Sequence, residues 1–247
     1  MDKFITQSPI SKQIKKSAIL SMNLPVNTLI IGEQGVGKKL LAQEILPNST
    51  AFYAKELEQL IISKHIDLKE YSSIIIYHLE DVINIDEFLQ HLTNIKIVAT
   101  TNQKLTKYNT IFAVKIEIPP LSQRNEDLQK LIEIYTQEAL NIYNLSKGDI
   151  DNTKLDLNGN GITLKQSIFK HIVLQSMSQK DILSILESYL YKQLQKNKTY
   201  KELLSIFEIP LLKASIKAFK SQLKISKQLA INRVTLRKKL HNYFGEL

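Results

Sequence analysis

Apolar and polar positions along the chain change period several times, and the changes mark its elements. Ile10, Ile14, Ala18 and Met22 recur at helical spacing, which predicts a helix over residues 9–22. A short β-rich run at 27–31 leads into a glycine-rich stretch and then a helix at 40–46. Three consecutive Ile predict a buried strand at 73–77. A helix near 85–92, a strand at 96–100 and a strand at 112–118 follow, the last stopped by Pro119 and Pro120. Strands alternating with helices imply a parallel α/β sheet. Beyond Pro120 the β character fades. Helices are predicted at 126–141, 164–175, 179–195, 199–207, 210–220, 223–230 and 234–243, with a polar loop at 147–163.

Composition narrows the class. The chain of 247 residues is 43% apolar, with seven Gly and six Pro, which suits a folded, helix-rich protein. It has no Cys, so disulfides and thiolate metal sites are excluded, and its five His are scattered. No apolar run approaches the ~20 residues that span a bilayer, and residues 1–20 contain no signal-like apolar core. The expected compartment is the cytoplasm, with no membrane partner. Charge is uneven. Residues 210–247 hold nine Lys/Arg against one acid, Glu246, a balance of +8 out of +9 for the chain. A basic end on a near-neutral body is the footprint of a module that meets phosphate.

Gly32, four residues, Gly37 and Lys38 fit a phosphate-binding loop, with a strand before and a helix after. Gly32, Gly35 and Gly37 let backbone N–H groups turn onto phosphates, and Lys38 supplies a cation. Lys39 stands where a hydroxyl would hold Mg²⁺.

The run Gly-Glu-Gln-Gly-Val-Gly-Lys-Lys-Leu-Leu-Ala-Gln-Glu-Ile from Gly32 resembles the Walker A segment of the NtrC-type sigma-54 activators, an AAA+ ATPase family that carries Glu after the Lys. Phe4-Ile-Thr-Gln-Ser-Pro-Ile resembles the stretch opening that ATPase domain. Ile97-Val-Ala-Thr-Thr-Asn102 is similar to its sensor I strand, placing Asn102 near a γ-phosphate. Ile118-Pro-Pro-Leu-Ser-Gln-Arg124-Asn-Glu-Asp127-Leu resembles the junction between α/β core and helical lid. The resemblance spans about residues 4–130. It implies ATP or ADP as cofactor and a P-loop AAA+ core over 1–125, with a helical lid over 126–195. It leaves Mg²⁺ open.

Four departures make that core look degenerate. No sigma-contacting Gly-Ala-Phe-Thr-Gly-Ala loop lies within 48–73, so sigma-54 remodelling is not expected. The acidic pair ending the Walker B strand falls on Glu80 and Asp81 in one register, and on His78 and Leu79 in the other. The chain has three Arg, at 124, 233 and 237, none where the family's arginine fingers lie. Lys104, Lys107 and Lys115 are no substitute for a guanidinium fork. The lid motif Gly-Asn-Val-Arg-Glu-Leu is expected near Ser178–Leu183, with Lys180 or Asp181 in place of its arginine. Glu80, Asp81 and Asn102 are therefore the candidate catalytic residues, and hydrolysis is expected to be inefficient. Asp156, Asn158, Asn160 and Gly161 open like a calcium loop, but its twelfth position is Ser167, so a plain polar loop is expected. Tyr189, Tyr191 and Tyr200 are expected to pack between helices.

The C-terminal segment, densest at Ala230-Ile-Asn-Arg-Val-Thr-Leu-Arg-Lys-Lys-Leu240, resembles the Fis-type helix-turn-helix that also closes the NtrC-type activators. The residues argue the same way alone. Leu229 and Ile231 bracket a turn and should bury against Ile216, Phe219, Leu236 and Leu240. Asn232 caps a recognition helix or reads a base. Arg233, Thr235, Arg237 and Lys238 lie on its first two turns, while Lys239 and Lys227 suit phosphate contact. The expected architecture is thus α/β, with an all-α helix-turn-helix domain over 196–247. The function this implies is sequence-specific transcription regulation at the nucleoid. The implied partners are double-stranded DNA, a second copy or a higher homo-oligomer, and RNA polymerase or a related activator. An active AAA+ ATPase acting on a DNA-bound partner, and an adaptor with a dead ATP site, are the rival readings.

Overall fold

A computed structural model describes residues 3–103, 111–146, 150 and 154–245. Lys104, Lys107 and Glu246 lie outside them, as does part of the loop at 147–163. In chain order the elements are α1 (Pro9–Asn23), β1 (Thr28–Ile31), α2 (Lys38–Ile45), β2 (Thr50–Tyr53), α3 (Ala54–Ile62), β3 (Ser73–Tyr77), α4 (Ile85–Gln90), β4 (Lys96–Thr101), β5 (Val114–Glu117), α5 (Asn125–Ile142), α6 (Asn160–Ser176), α7 (Gln179–Leu194), α8 (Tyr200–Phe219), α9 (Gln222–Gln228) and α10 (Arg233–Phe244). The chain divides into two compact units, Met1–Ser176 and Met177–Leu247. The break falls inside the 126–195 span expected for the lid, so α7 belongs to the second unit.

The first unit is built on a parallel sheet ordered β2-β3-β4-β1-β5. Its three inner strands, β3, β4 and β1, are buried on both faces, which explains their unbroken apolar runs. Alternate side chains feed two cores. Leu29, Ile74, Ile76, Ile97 and Ala99 pack with Leu57 of α3 and Phe88 of α4. Ile30, Ile75, Val98 and Ile116 pack with Ile14 of α1 and Leu41 of α2. That β1 lies between β4 and β5 matters for function, because the loop leaving β1 emerges beside the end of β4. A third core joins α5 to α6 through Leu140, Leu164, Ile168 and Ile172.

Three expectations need correction. β2 and α3 were not foreseen: Thr50-Ala-Phe-Tyr53 is a largely exposed edge strand with no apolar alternation. α6 starts at Asn160, four residues early, because its first turn is anchored by contacts described below. The separate helices expected at 199–207 and 210–220 are one helix, α8, running through Pro210. Pro210 supplies no N–H to the Ile206 carbonyl. The helix continues because a capping box of Thr199 and Glu202 fixes its start and Leu212 anchors its second half in a core.

In the second unit, Leu212, Ile225, Leu236 and Leu240 form the core joining α8, α9 and α10, with Ile216, Phe219, Leu229 and Ile231 packed around it. α7 contributes no buried residue, and Tyr189, Tyr191 and Tyr200 are exposed rather than packed between helices. Among the described residues, no helix is long and apolar enough to cross a membrane.

Candidate functional site

The loop between β1 and α2 needs its glycines. A Cβ at Gly32 would meet the Ile118 carbonyl oxygen at 2.6 Å, and one at Gly35 would meet the Gly159 carbonyl oxygen at 2.2 Å. Gly35 and Gly37 also hold positive φ, 80° and 106°. Gly37 is the N-cap of α2 and offers no side-chain cap, so the first N–H groups of the helix are left for a ligand. Lys38 folds back into the loop. Its ammonium donates to the carbonyls of Gly32 and Glu33 and to Asn102 Oδ1, all at 2.7 Å. Burial pulls the Lys38 pKa below its ordinary value; nearby Glu80 opposes this, and Lys39 adds to it.

The end of β3 settles where the acidic candidates lie. The strand stops at Tyr77, and His78 turns with φ 58° while its N–H donates to Thr100 Oγ1 at 3.2 Å. Leu79 enters the core. Glu80, one turn later, reaches back: its Oε1 accepts the Asn102 N–H at 3.1 Å and stands 3.7 Å from His78 Nδ1. Its Oε2 is buried without a hydrogen-bond partner. The structure thus gathers Lys38, Asn102 and Glu80. It does not bring in Asp81, which is exposed. Lys39 donates to the Tyr53 hydroxyl at 2.8 Å and lies over the rings of Tyr53 and Tyr77, 4.5 and 4.9 Å from their centroids.

The segment that meets this loop is the start of α6. Asn160 is 2% exposed; its Nδ2 donates to Glu33 Oε2 and the Gln34 carbonyl, and its Oδ1 accepts the Leu121 N–H. Gly161 N–H donates to the Gly35 carbonyl at 3.1 Å. Gly159, Asn160 and Leu164 match the first, second and sixth positions of the expected lid motif, and Ile162 stands in place of its arginine. Ser178–Leu183, where that motif is expected, instead opens α7. Asp181 is fully occupied there in a capping box with Ser178 that opens α7. The residues from 156 to 161 are expected as a plain polar loop, whereas Asn160 and Gly161 already belong to α6. Among the described residues no group of three acids or His is placed to hold a metal.

Arg124 and Asp127 form a buried hub. Asp127 accepts the N–H groups of Gln7 and Ser8 at 2.6 and 2.9 Å, the hydroxyls of Ser8 and Ser11, and Arg124 Nη1. Arg124 Nη2 donates to the Val36 carbonyl at 3.0 Å. The N-terminal segment with the start of α1, the loop and the start of α5 are thereby tied together. Two cavities flank the loop. One, of about 240 Å³, is lined by Lys38, Lys39, His78, Thr100, Asn102 and Ile162. The other, about 160 Å³, is walled by Phe4, Ile5, Val36, Leu131, Ile134 and Tyr135.

In the second unit Asn232 is the N-cap of α10, its Oδ1 accepting the Val234 N–H at 2.8 Å. Arg233, Thr235, Arg237 and Lys238 are exposed on α10, whose Leu236 and Leu240 are buried, and Lys227 is exposed on α9. Lys239 departs from expectation. It pairs with Glu208 of α8, which also accepts the Tyr243 hydroxyl at 2.8 Å. Glu208 went unnoticed because it lies just before the basic run.

No protein-family model matches the sequence, and no curated protein matches it. Among solved structures, the chain is similar to NtrX from Brucella abortus in complex with ATP, with a TM-score of 0.60 and 15% identity over 98% of this chain and 69% of that one. The same protein in complex with ADP gives 0.61 and 16%, over 97% and 68%. At such identity the likeness is one of fold. With its five parallel strands and flanking helices, the first unit has the P-loop AAA+ α/β fold.

Proposed function

We propose that this chain is a sequence-specific DNA-binding transcription regulator whose AAA+ core binds adenine nucleotide and hydrolyses it inefficiently. The observation that carries the first half is α10. It presents Arg233, Thr235, Arg237 and Lys238 to solvent from a helix capped by Asn232 and seated on α8 and α9. A basic helix following a short turn after α9 has the form of a helix-turn-helix reader, with side chains that reach base edges and phosphates. Lys227 suits a phosphate contact; Lys239, held by Glu208, serves the packing of α10 on α8. The DNA-binding part then comprises 196–247, and a second copy would match a palindromic duplex. Such a protein works at the nucleoid, its core a nucleotide-sensing or oligomerising scaffold for RNA polymerase or a related activator.

Nucleotide binding is supported by Gly32, Gly35, Gly37 and Lys38 at the N-terminus of α2 and by an apolar slot beside Phe4 and Tyr135 that suits a base. NtrX, similar in fold, is described with ATP and with ADP. Inefficient hydrolysis follows from charge. Arg124 is consumed in the hub, the other two Arg sit on α10, and Ile162 faces the loop where a cation would steady developing phosphate charge.

The test is selection of duplexes from a random-sequence pool by the whole protein. An enriched motif is expected, with affinity falling steeply as salt rises. Arg233→Ala should cost ~1–3 kcal/mol and relax one base position. Failure to enrich any motif, or an unchanged motif and affinity in Arg233→Ala, would refute the assignment.

A further inference from the structure

The cavity beside the loop is poor in the oxygen donors a divalent ion needs. Mg²⁺ takes octahedral oxygen, and P-loop folds supply it from a hydroxyl after the lysine and from a carboxylate on a neighbouring strand. Here the position after Lys38 is a second lysine, and the end of β3 carries Tyr77 and His78. Glu80, the nearest acid behind them, does not line the cavity. One of its oxygens is taken by the Asn102 N–H, and the other is sealed from solvent. Glu33 is turned to Asn160 of α6, and Asp81 is exposed. The residues present do not fit Mg²⁺.

They fit a polyanion directly. Two ammonium groups share one cavity of about 240 Å³, and their mutual repulsion is relieved by negative charge placed between them. Lys38 is pinned in the loop by three acceptors. Lys39 is exposed, parked on the Tyr53 hydroxyl over two rings, on a flexible stem that can swing toward a phosphate. We propose that this loop binds the phosphate chain of a nucleoside di- or triphosphate without a divalent ion, with the Lys39 ammonium supplying the counter-charge that Mg²⁺ supplies elsewhere. The proposal rests on the nucleotide-binding reading above, and the two fail differently.

Titration calorimetry of the whole protein with ATP, in excess Mg²⁺ and in EDTA, decides it. Dissociation constants within about threefold of each other are expected for the wild type. Lys39→Gln, at an exposed position outside the core, should weaken binding in EDTA by about tenfold or more, and Lys39→Arg should retain it. Wild-type binding that requires Mg²⁺ overturns the proposal, as does Lys39→Gln binding ATP in EDTA as tightly as wild type. Absence of binding in both buffers overturns the nucleotide-binding reading itself, and this proposal with it.

Discussion

Asp127 is fully buried and has no water to fall back on. Its carboxylate is tolerable because five donors surround it, including the Arg124 guanidinium, and the arginine is tolerable because it donates in turn to Asp127 and to the Val36 carbonyl. Removing one partner strands the other. Asp127→Ala should destabilise the α/β unit by ~3–5 kcal/mol, seen as a fall in its urea midpoint; an unchanged midpoint would show that the hub does not hold the unit together. Sequence resemblance picked out Arg124 and Asp127 but not their work. The partners of Asp127 at Gln7, Ser8 and Ser11 lie 116–120 residues earlier, and no local pattern reports a hydrogen bond over that span. Lys38 and Asn102, by contrast, were legible, because each sits at a fixed offset from a strand that periodicity finds.

Elements with strong periodicity were readable: β1, β3, β4 and β5 all fall within two residues of expectation. The misses have separate causes. β2 is a short edge strand whose exposed residues carry no alternation. The start of α6 is set by Asn160 docking on the loop, a tertiary contact. Pro210 predicts a break between two helices, whereas packing of Leu212 and Ser215 carries α8 through it. One consequence concerns α8 and α10. Their link through Glu208, Lys239 and Tyr243 holds the Glu208 carboxyl below its ordinary pKa, chiefly by the Lys239 hydrogen bond and then that of Tyr243. A depressed folded pKa stabilises above the ordinary carboxylate range, and that contribution is lost as pH falls through the folded value. Glu208→Gln should therefore flatten the loss of melting temperature on acidification below about pH 4.5, the ordinary value for this group. Equal acid slopes for variant and wild type would dismiss the link.

Across the whole molecule, charge was the most legible property, since it needs no fold: +8 of +9 lies in residues 210–247. What the chain could not show was how that charge is divided. Lys239 is spent internally, while Lys227 stays exposed. Under the DNA-binding reading, Lys227→Ala should weaken binding about equally across duplex sequences and reduce the salt slope by ~1. A change confined to one sequence would move Lys227 from backbone to base contact.

The two rings beside Lys39 have a practical consequence. The chain contains ten Tyr and no Trp, so phenol emission is its intrinsic fluorescence. Tyr53 holds the Lys39 ammonium by its hydroxyl, and Tyr77 lies beneath it. Whatever draws that ammonium away alters both phenols, so the protein carries an optical gauge of its own loop, readable without a dye.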